Sequence, residues 1–240
     1  MSRKISLFVF ILCLSNIAYA GSVKKLLPDE YVIELGVYTS SQGKEQHINK
    51  TGLIGDQYEL THSKDTAGLI SLSALWQVKD FEAGSFSLGI NYSYFDNTTV
   101  NGEILIENAL RNLNYSYTLH HNELLLLAHF KSPIKKSGLE TLIEVAVGPN
   151  FMTSQNYIEK SLDGTTAPSS TFKGKTTSTL AFRAGASLLA SNISKTGQVA
   201  LGYQFNYLGK GSLNAAIGNV LNNLETGNIY SHAIVFSVLF

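Results

Sequence analysis

The chain has 240 residues, with 18 basic and 18 acidic side chains, a single cysteine and 44% hydrophobic residues. This composition excludes the basic stripe of a nucleic-acid binder, and one cysteine supports neither a disulfide framework nor a thiolate zinc site. Allowing for a leader, about 220 residues suit one β-barrel domain.

Residues 1 to 20 begin with Arg3 and Lys4, continue through an apolar run from Ile5 to Leu14 and end on Ala18-Tyr19-Ala20 before Gly21. This is the pattern of a cleavable secretory signal, with cleavage near Ala20 and a mature domain over residues 21–240. The apolar run is too short to cross about 30 Å of hydrocarbon as a helix. Cleavage takes Arg3, Lys4 and Cys13, so the remaining chain is weakly acidic and free of cysteine. No later run reaches about eighteen apolar residues. If the chain spans a membrane, it does so as a closed barrel.

After a polar leader, Glu30 to Thr39 alternates with Tyr31, Ile33, Leu35 and Val37 on one face. A polar loop over 40–66 follows. The second strand, 67–78, places Ile70, Leu72, Ala74, Trp76 and Val78 outward and Ser71, Ser73 and Gln77 inward. After a turn at 79–83, the stretch 84–95 has the clearest period of two, with Phe86, Leu88, Ile90, Tyr92 and Tyr94 opposite Ser85, Ser87, Gly89, Asn91 and Ser93. Bulk on the outside and small polar groups inside fit lipid around a crowded or wet lumen. In a soluble barrel the bulk would face inward.

A second loop is expected over 96–112. In 113–131, Leu113, Tyr115, Tyr117 and Leu119 share one parity, and Leu124, Leu126, Ala128 and Phe130 share the other. One strand with a β-bulge near His120-His121-Asn122 would bring both sets to one face. Two strands joined by a His-Asn turn also fit, but give nine strands and put long and short connections at one end, so the bulge is preferred. Further strands are expected at 139–148, 176–190 and 198–209, with a turn at 132–138, a loop at 149–175, a turn at 191–197 and a loop at 210–226. The last strand, Tyr230 to Phe240, places Ile234, Phe236, Val238 and Phe240 on one face and Ser231, Ala233 and Ser237 on the other. Long and short connections then alternate strictly. This predicts a closed antiparallel up-and-down transmembrane barrel of eight strands, with four long loops outside the cell and short turns in the periplasm.

The stretches Leu180-Ala181-Phe182-Arg183-Ala184-Gly185-Ala186 and Val199-Ala200-Leu201-Gly202-Tyr203-Gln204-Phe205, followed by the terminal-aromatic strand, resemble the penultimate hairpin of the small eight-stranded outer-membrane barrels, the OmpA, OmpX and OmpW-like group. The resemblance covers essentially the whole mature chain in architecture. It implies a bacterial outer-membrane location and a barrel-assembly signal at Phe236, Val238 and Phe240. Val235 departs from the glycine many members carry there. The group includes anchors, adhesins, small-solute channels and a few lipid-modifying enzymes, so fold does not fix activity.

Glu34, Glu144 and Arg183 are expected inside the lumen, where there is room for little more than side chains. An internal ion-pair core is preferred to a gate. Trp76, Tyr92, Tyr94, Tyr203 and Tyr207, together with Tyr31, Tyr115, Phe205, Tyr230 and Phe240, are read as girdles at the membrane interfaces. The histidines His47, His62, His120, His121, His129 and His232 lack the spacing of a metal or catalytic site, and His62-Ser63 and Ser231-His232 lack that of a nucleophile with its base. Neither a cofactor nor an enzymatic activity is expected. The expected partners are outer-membrane lipids and lipopolysaccharide, the barrel-assembly machinery and a host-cell or other surface ligand, bound by a monomer through its loops. A narrow channel for small or apolar solutes is the alternative, and a lipid-modifying enzyme the third reading.

Overall fold

The computed structural model describes residues 27–135, 137–194 and 197–240; the predicted signal sequence and its cleavage site lie outside them. The described residues form eleven strands: β1 (Glu30–Ser41), β2 (Gln46–Ile48), β3 (Asp56–His62), β4 (Lys64–Phe81), β5 (Gly84–Ile106), β6 (Leu110–Pro133), β7 (Leu139–Ser161), β8 (Phe172–Lys173), β9 (Lys175–Ser194), β10 (Gly197–Ala215) and β11 (Leu224–Leu239). Eight of them, β1, β4, β5, β6, β7, β9, β10 and β11, pair antiparallel in that order. The last returns to the first, in register from Val32↔Leu239 to Ser41↔Tyr230. The eight-stranded ring therefore has no free edge in this region.

In the half nearest Glu30 and Phe240, alternation puts apolar bulk outside. Leu35, Leu72, Ile90, Leu126, Val145, Leu188, Leu201 and Ile234 are all exposed, whereas Ser71, Ser73, Asn91, Ser93, Asn206 and Ser237 on the opposite parity are buried. Along β5 this outer set runs from Phe86 to Tyr94. Nine residues at about 3.3 Å each, tilted by about 40°, give a belt roughly 23 Å tall, close to the apolar band of about 25 Å on outer-membrane barrels. Above it the outward positions turn polar, at Thr39, Thr66, Asn101, Asn114 and Thr153.

Beyond the belt the pattern inverts, which corrects the expectation for 113–131. β6 is one strand without a bulge near 120–122: Leu113, Tyr115, Tyr117, Leu119, His121, Glu123, Leu125, Leu127 and His129 are all buried on one unbroken parity. The extra residues sit in its neighbours instead, around Asp96 and Asn97 of β5 and Asn156 and Tyr157 of β7. The switch in which parity carries bulk marks the change of solvent. In lipid the large residues face out, and above it water drives them in. Tyr115, 2% exposed, is thus a core residue and does not belong to a girdle.

The expected loops are likewise mostly sheet. β5 and β6 run on to meet at Ile106↔Leu110, so the 96–112 loop shrinks to a tight turn in which Glu107 and Asn108 both have positive φ and Ala109 N–H donates to Ile106 C=O at 3.0 Å. This is the type I′ geometry that a twisted hairpin favours. β7 extends to Ser161 and β10 to Ala215, shortening the third and fourth loops. The expected strict alternation of long and short connections is not kept.

The first connection forms a hairpin of its own. β2 pairs β3 and β3 pairs β5, so above the belt this hairpin takes the place of β1 and β4. On its other side the first connection is tied to the last, through Gly43 N–H to Thr226 C=O at 2.8 Å, Leu221 N–H to Asn49 C=O at 2.9 Å and the Lys50↔Val220 bridge. β8 pairs β10 at the same level. A second ring is built on top of the first.

This ring encloses its own core, which includes Tyr38, Ile48, Tyr58, Phe95, Tyr117, Met152 and Phe172. A cysteine scan reads the inversion directly, since the sequence has a single native thiol, Cys13, outside the described residues. With an impermeant maleimide on intact cells, Asn114→Cys is expected to label and Leu113→Cys to stay protected until denaturation. The reverse order would contradict the observed parity.

Candidate functional site

The interior has three layers. At the end nearest the turns lie Val32, Leu75, Leu125, Leu127, Leu189 and Leu239, all buried. The aromatic core of the upper ring closes the other end. Between them sits a polar belt centred on Arg183.

Arg183, Glu34 and Glu144 face inward because their neighbours in sequence carry the lipid-facing parity: Phe182 and Leu35 are exposed on the outer side of the wall. The guanidinium is 3% exposed and forms a fan of contacts. Nε donates to Asn206 Oδ1 at 2.9 Å, Nη1 to Asn91 Oδ1 at 3.2 Å, and Nη2 to Ser93 Oγ at 2.7 Å and Glu123 Oε2 at 2.9 Å. Glu34 Oε2 lies 4.0 Å from Nη1, and Glu34 accepts from Ser237 Oγ at 3.0 Å and Gln204 Nε2 at 3.3 Å. Glu144 is held by His129, Nε2 to Oε2 at 3.3 Å. Gly185 makes room for this carboxylate, because a Cβ there would stand 2.7 Å from Glu144 Oε1.

The structure thus brings Glu34 and Arg183 within ion-pair distance and gives Glu144 to His129. The closest acidic partner of Arg183 is Glu123, which the sequence reading left unassigned. Its signal was present: Glu123 shares parity with Leu125 and Leu127, opposite the lipid-facing Leu124 and Leu126. The bulge expected at His120-His121-Asn122 obscures it.

The belt is continuous with Asn91, which donates to Ser71 Oγ at 2.6 Å and Ser73 Oγ at 2.8 Å, and with Asn206, which donates to Ser231 Oγ at 3.2 Å. Higher up, Asn150 bridges His121 Nδ1 and the Leu208 carbonyl. Each charged side chain of the belt has a partner, although Glu123 Oε1 and Glu144 Oε1 accept no hydrogen bond, and the layers above and below are apolar. Such an arrangement rigidifies and fills a lumen.

Of the outward aromatics, Tyr92 and Tyr203 are 42% and 45% exposed, and Trp76, Tyr94 and Tyr207 are half-buried. Their phenols reach the first polar residues above the belt, Tyr92 to Asn122 Oδ1 at 2.8 Å and Tyr207 to Asn228 Oδ1 at 3.2 Å. Tyr230 stacks on Phe205 at 6.1 Å beside them. Phe236 and Phe240 are exposed and Val238 half-buried on the same face of β11. The histidines are dispersed. His47 caps the Ile54 carbonyl, His232 meets Tyr203 and His62 pairs with Asn101 in the sheet. Among the described residues no group of three or more His, Cys, Asp or Glu side chains has metal-binding geometry.

The upper ring carries its own titratable groups. Burial pushes the phenols of Tyr58 and Tyr157 up, and the two share a hydrogen bond at 3.1 Å. In the third connection the Asp163 carboxylate accepts from the Thr166 N–H and Oγ1, the Thr165 N–H and Ser161 Oγ, which hold it below the usual carboxylate range.

No family model matches the chain, and no curated protein matches it. Solved structures do. The outer membrane protease OmpT from Escherichia coli is similar with a TM-score of 0.51 at 8% identity, over 89% of this chain and 97% of that one. The outer membrane protein OprG from Pseudomonas aeruginosa is similar at 0.48 with 13% identity, over 89% and 96%. Neisserial surface protein A is similar at 0.45 with 11% identity, over 88% and 95%. At this identity the likeness to OmpT is one of fold.

Proposed function

We propose that this chain, with the fold of a bacterial outer-membrane β-barrel, is a non-conducting, non-enzymatic barrel whose second ring stands outside the cell as a rigid platform for binding a surface ligand. The observation that carries this reading is the filled interior. Arg183 and its partners occupy the middle of the lumen, and apolar layers lie on both sides of them. A channel needs polar walls that leave room for solute, and an eight-stranded barrel filled in this way has none to spare.

The remaining features support the same picture. Trp76, Tyr92, Tyr94, Tyr203 and Tyr207 act as interface anchors, because each ring borders the lipid-facing belt and the phenols turn toward its polar rim. Lipid and lipopolysaccharide cover the belt. The outward row Phe236, Val238 and Phe240 is what the barrel-assembly machinery reads. The protein works as a monomer, because the ring closes on itself through β1 and β11.

Planar-bilayer recording tests the proposal. The purified barrel, its folded state confirmed by heat-modifiable gel mobility, is expected to produce no stepwise conductance. Reproducible single-channel steps from folded protein would sink the non-conducting reading and favour a solute path through the Arg183 belt.

A further inference from the structure

The second ring is not uniform on its outer face. β3, β5, β6 and β7 together carry a groove of about 170 Å³, whose polar walls are Thr61, Asn101, Glu103, Asn114, Ser116 and Lys160. The register sets these side chains in adjacent rows: Asn101 is opposite Ser116, and Glu103 is opposite Asn114, which is in turn opposite Lys160. Ile158, opposite Ser116 and 50% exposed, supplies one aliphatic wall.

Two properties distinguish this face from the rest of the ring. First, its polar groups are uncommitted. Among the described residues Asn101, Asn114, Ser116 and Lys160 make no side-chain hydrogen bond. Comparable outward rows satisfy one another, as in Thr39 with Thr66 at 2.9 Å, Thr153 with Thr176 at 3.0 Å and Asn156 with Thr118 at 3.2 Å. Second, its charge is balanced. Glu103 is engaged by Arg111 at 3.1 Å, and Lys160 is the lone cation lining the groove. A phosphate would call for clustered cations, and a basic peptide for free carboxylates. Amides and hydroxyls held in fixed rows beside an aliphatic wall match a neutral ring that presents several hydroxyls on its edge and C–H groups on its face.

Position selects where that ring comes from. Asn122, which receives the Tyr92 phenol at the rim of the lipid belt, is six residues from Ser116 on β6. At about 3.3 Å per residue and a tilt near 40°, the groove stands roughly 15 Å above the rim. It opens sideways, because outward side chains of a barrel wall project radially. What meets a radial groove at this height is material rising from the lipids alongside.

We infer that this groove binds a sugar unit of an outer-leaflet glycolipid, the hydroxyls bonding Asn101, Asn114 and Ser116 and the ring face resting on Ile158. The inference rests on the reading of the second ring as an external binding platform, and it names that platform's ligand. Strand pairing fixes the backbone positions of these donors, so only their side-chain rotamers are ordered on binding.

The test uses the full-length barrel in detergent micelles, titrated with the saccharide released from lipopolysaccharide by mild acid. Ser116→Trp fills the groove, and a double Asn101→Ala, Asn114→Ala variant removes its two amides while leaving the inward core untouched. Loss of two hydrogen bonds is expected to weaken binding about tenfold, with heat-modifiable mobility unchanged in both variants. Absence of saccharide binding by the unaltered protein, or equal binding by the variants, overturns the inference. So does binding of intact lipopolysaccharide alone that neither variant affects, since that assigns the contact to the acyl chains. A conducting barrel that still binds saccharide would count against the sealed lumen only, and a silent barrel that binds none would count against the groove only.

Discussion

Arg183→Leu is expected to destabilise the folded barrel by about 3–5 kcal/mol, the usual consequence of removing one member of a buried charge network. The substitution leaves Glu123, 1% exposed, without its 2.9 Å partner, and strands Glu34 among Gln204 and Ser237 in a lumen flanked by apolar layers. Asn91, Ser93 and Asn206 also lose the donors that organise them. The appropriate measurement is the urea midpoint of protein folded into lipid vesicles, followed by gel mobility. Conductance should stay silent, because the apolar layers above and below remain. Adding Glu123→Leu should recover part of the loss, since it removes the unpaired charge. A large increase in conductance at undiminished stability would show instead that Arg183 blocks a working pore.

Phe95→Ala should cost a comparable amount, about 3–5 kcal/mol, the range for deleting a fully buried aromatic ring. Phe95 is 0% exposed and lies at the junction of the two rings, packed edge-on against Tyr38 at 5.0 Å and against His121 at 6.3 Å. Its removal opens a cavity directly above the polar belt, beside the bulge at which β5 passes out of lipid. Leu126, 68% exposed on the same sheet, is the control. Truncating it leaves no internal cavity, so its effect should be clearly smaller. Equal losses at the two positions would mean that the upper core is not packed as a core.

How far the sequence revealed this architecture depended on whether one solvent rule applied. From Tyr31 to Val37, from Phe86 to Tyr94 and from Leu180 to Leu188, each stretch lies wholly in the lipid-facing half, and alternation alone identifies both faces. It also puts Glu34, Glu144 and Arg183 on the inner one. β6 crosses from one medium to the other. Its Tyr115 and Tyr117 are large for the same reason as Leu124 and Leu126, yet they point the opposite way, because the apolar side of the wall changes at the membrane surface. Assuming a single outer medium forced a bulge into a strand that has none.

The polar stretches at 40–66, 96–112 and 149–175 resemble loops in sequence for a related reason. Their outward positions are Thr, Asn, Ser and Glu, which suit a sheet in water as well as they suit a loop. The sugar-facing groove was hidden by the same feature, since it combines residues of four strands whose register no local pattern states. Glu123 is legible by its parity with Leu125 and Leu127, but a bulge expected at His120-His121-Asn122 breaks that parity immediately before it.

The ties between the first and last connections join segments far apart in the chain: Gln46 donates to the Glu225 carbonyl at 3.0 Å across 179 positions. Measured through the folded wall the distance is short. Ser41 is already paired with Tyr230, so Gly43 and Thr226 are two and four residues beyond a closed seam. The entropy of bringing the two ends of the chain together is therefore spent once, at the β1–β11 seam, and the clasp above it closes a loop of only a few residues. The dependence runs one way: opening the seam releases the clasp as well, so the upper ring cannot stay closed once the membrane ring has opened.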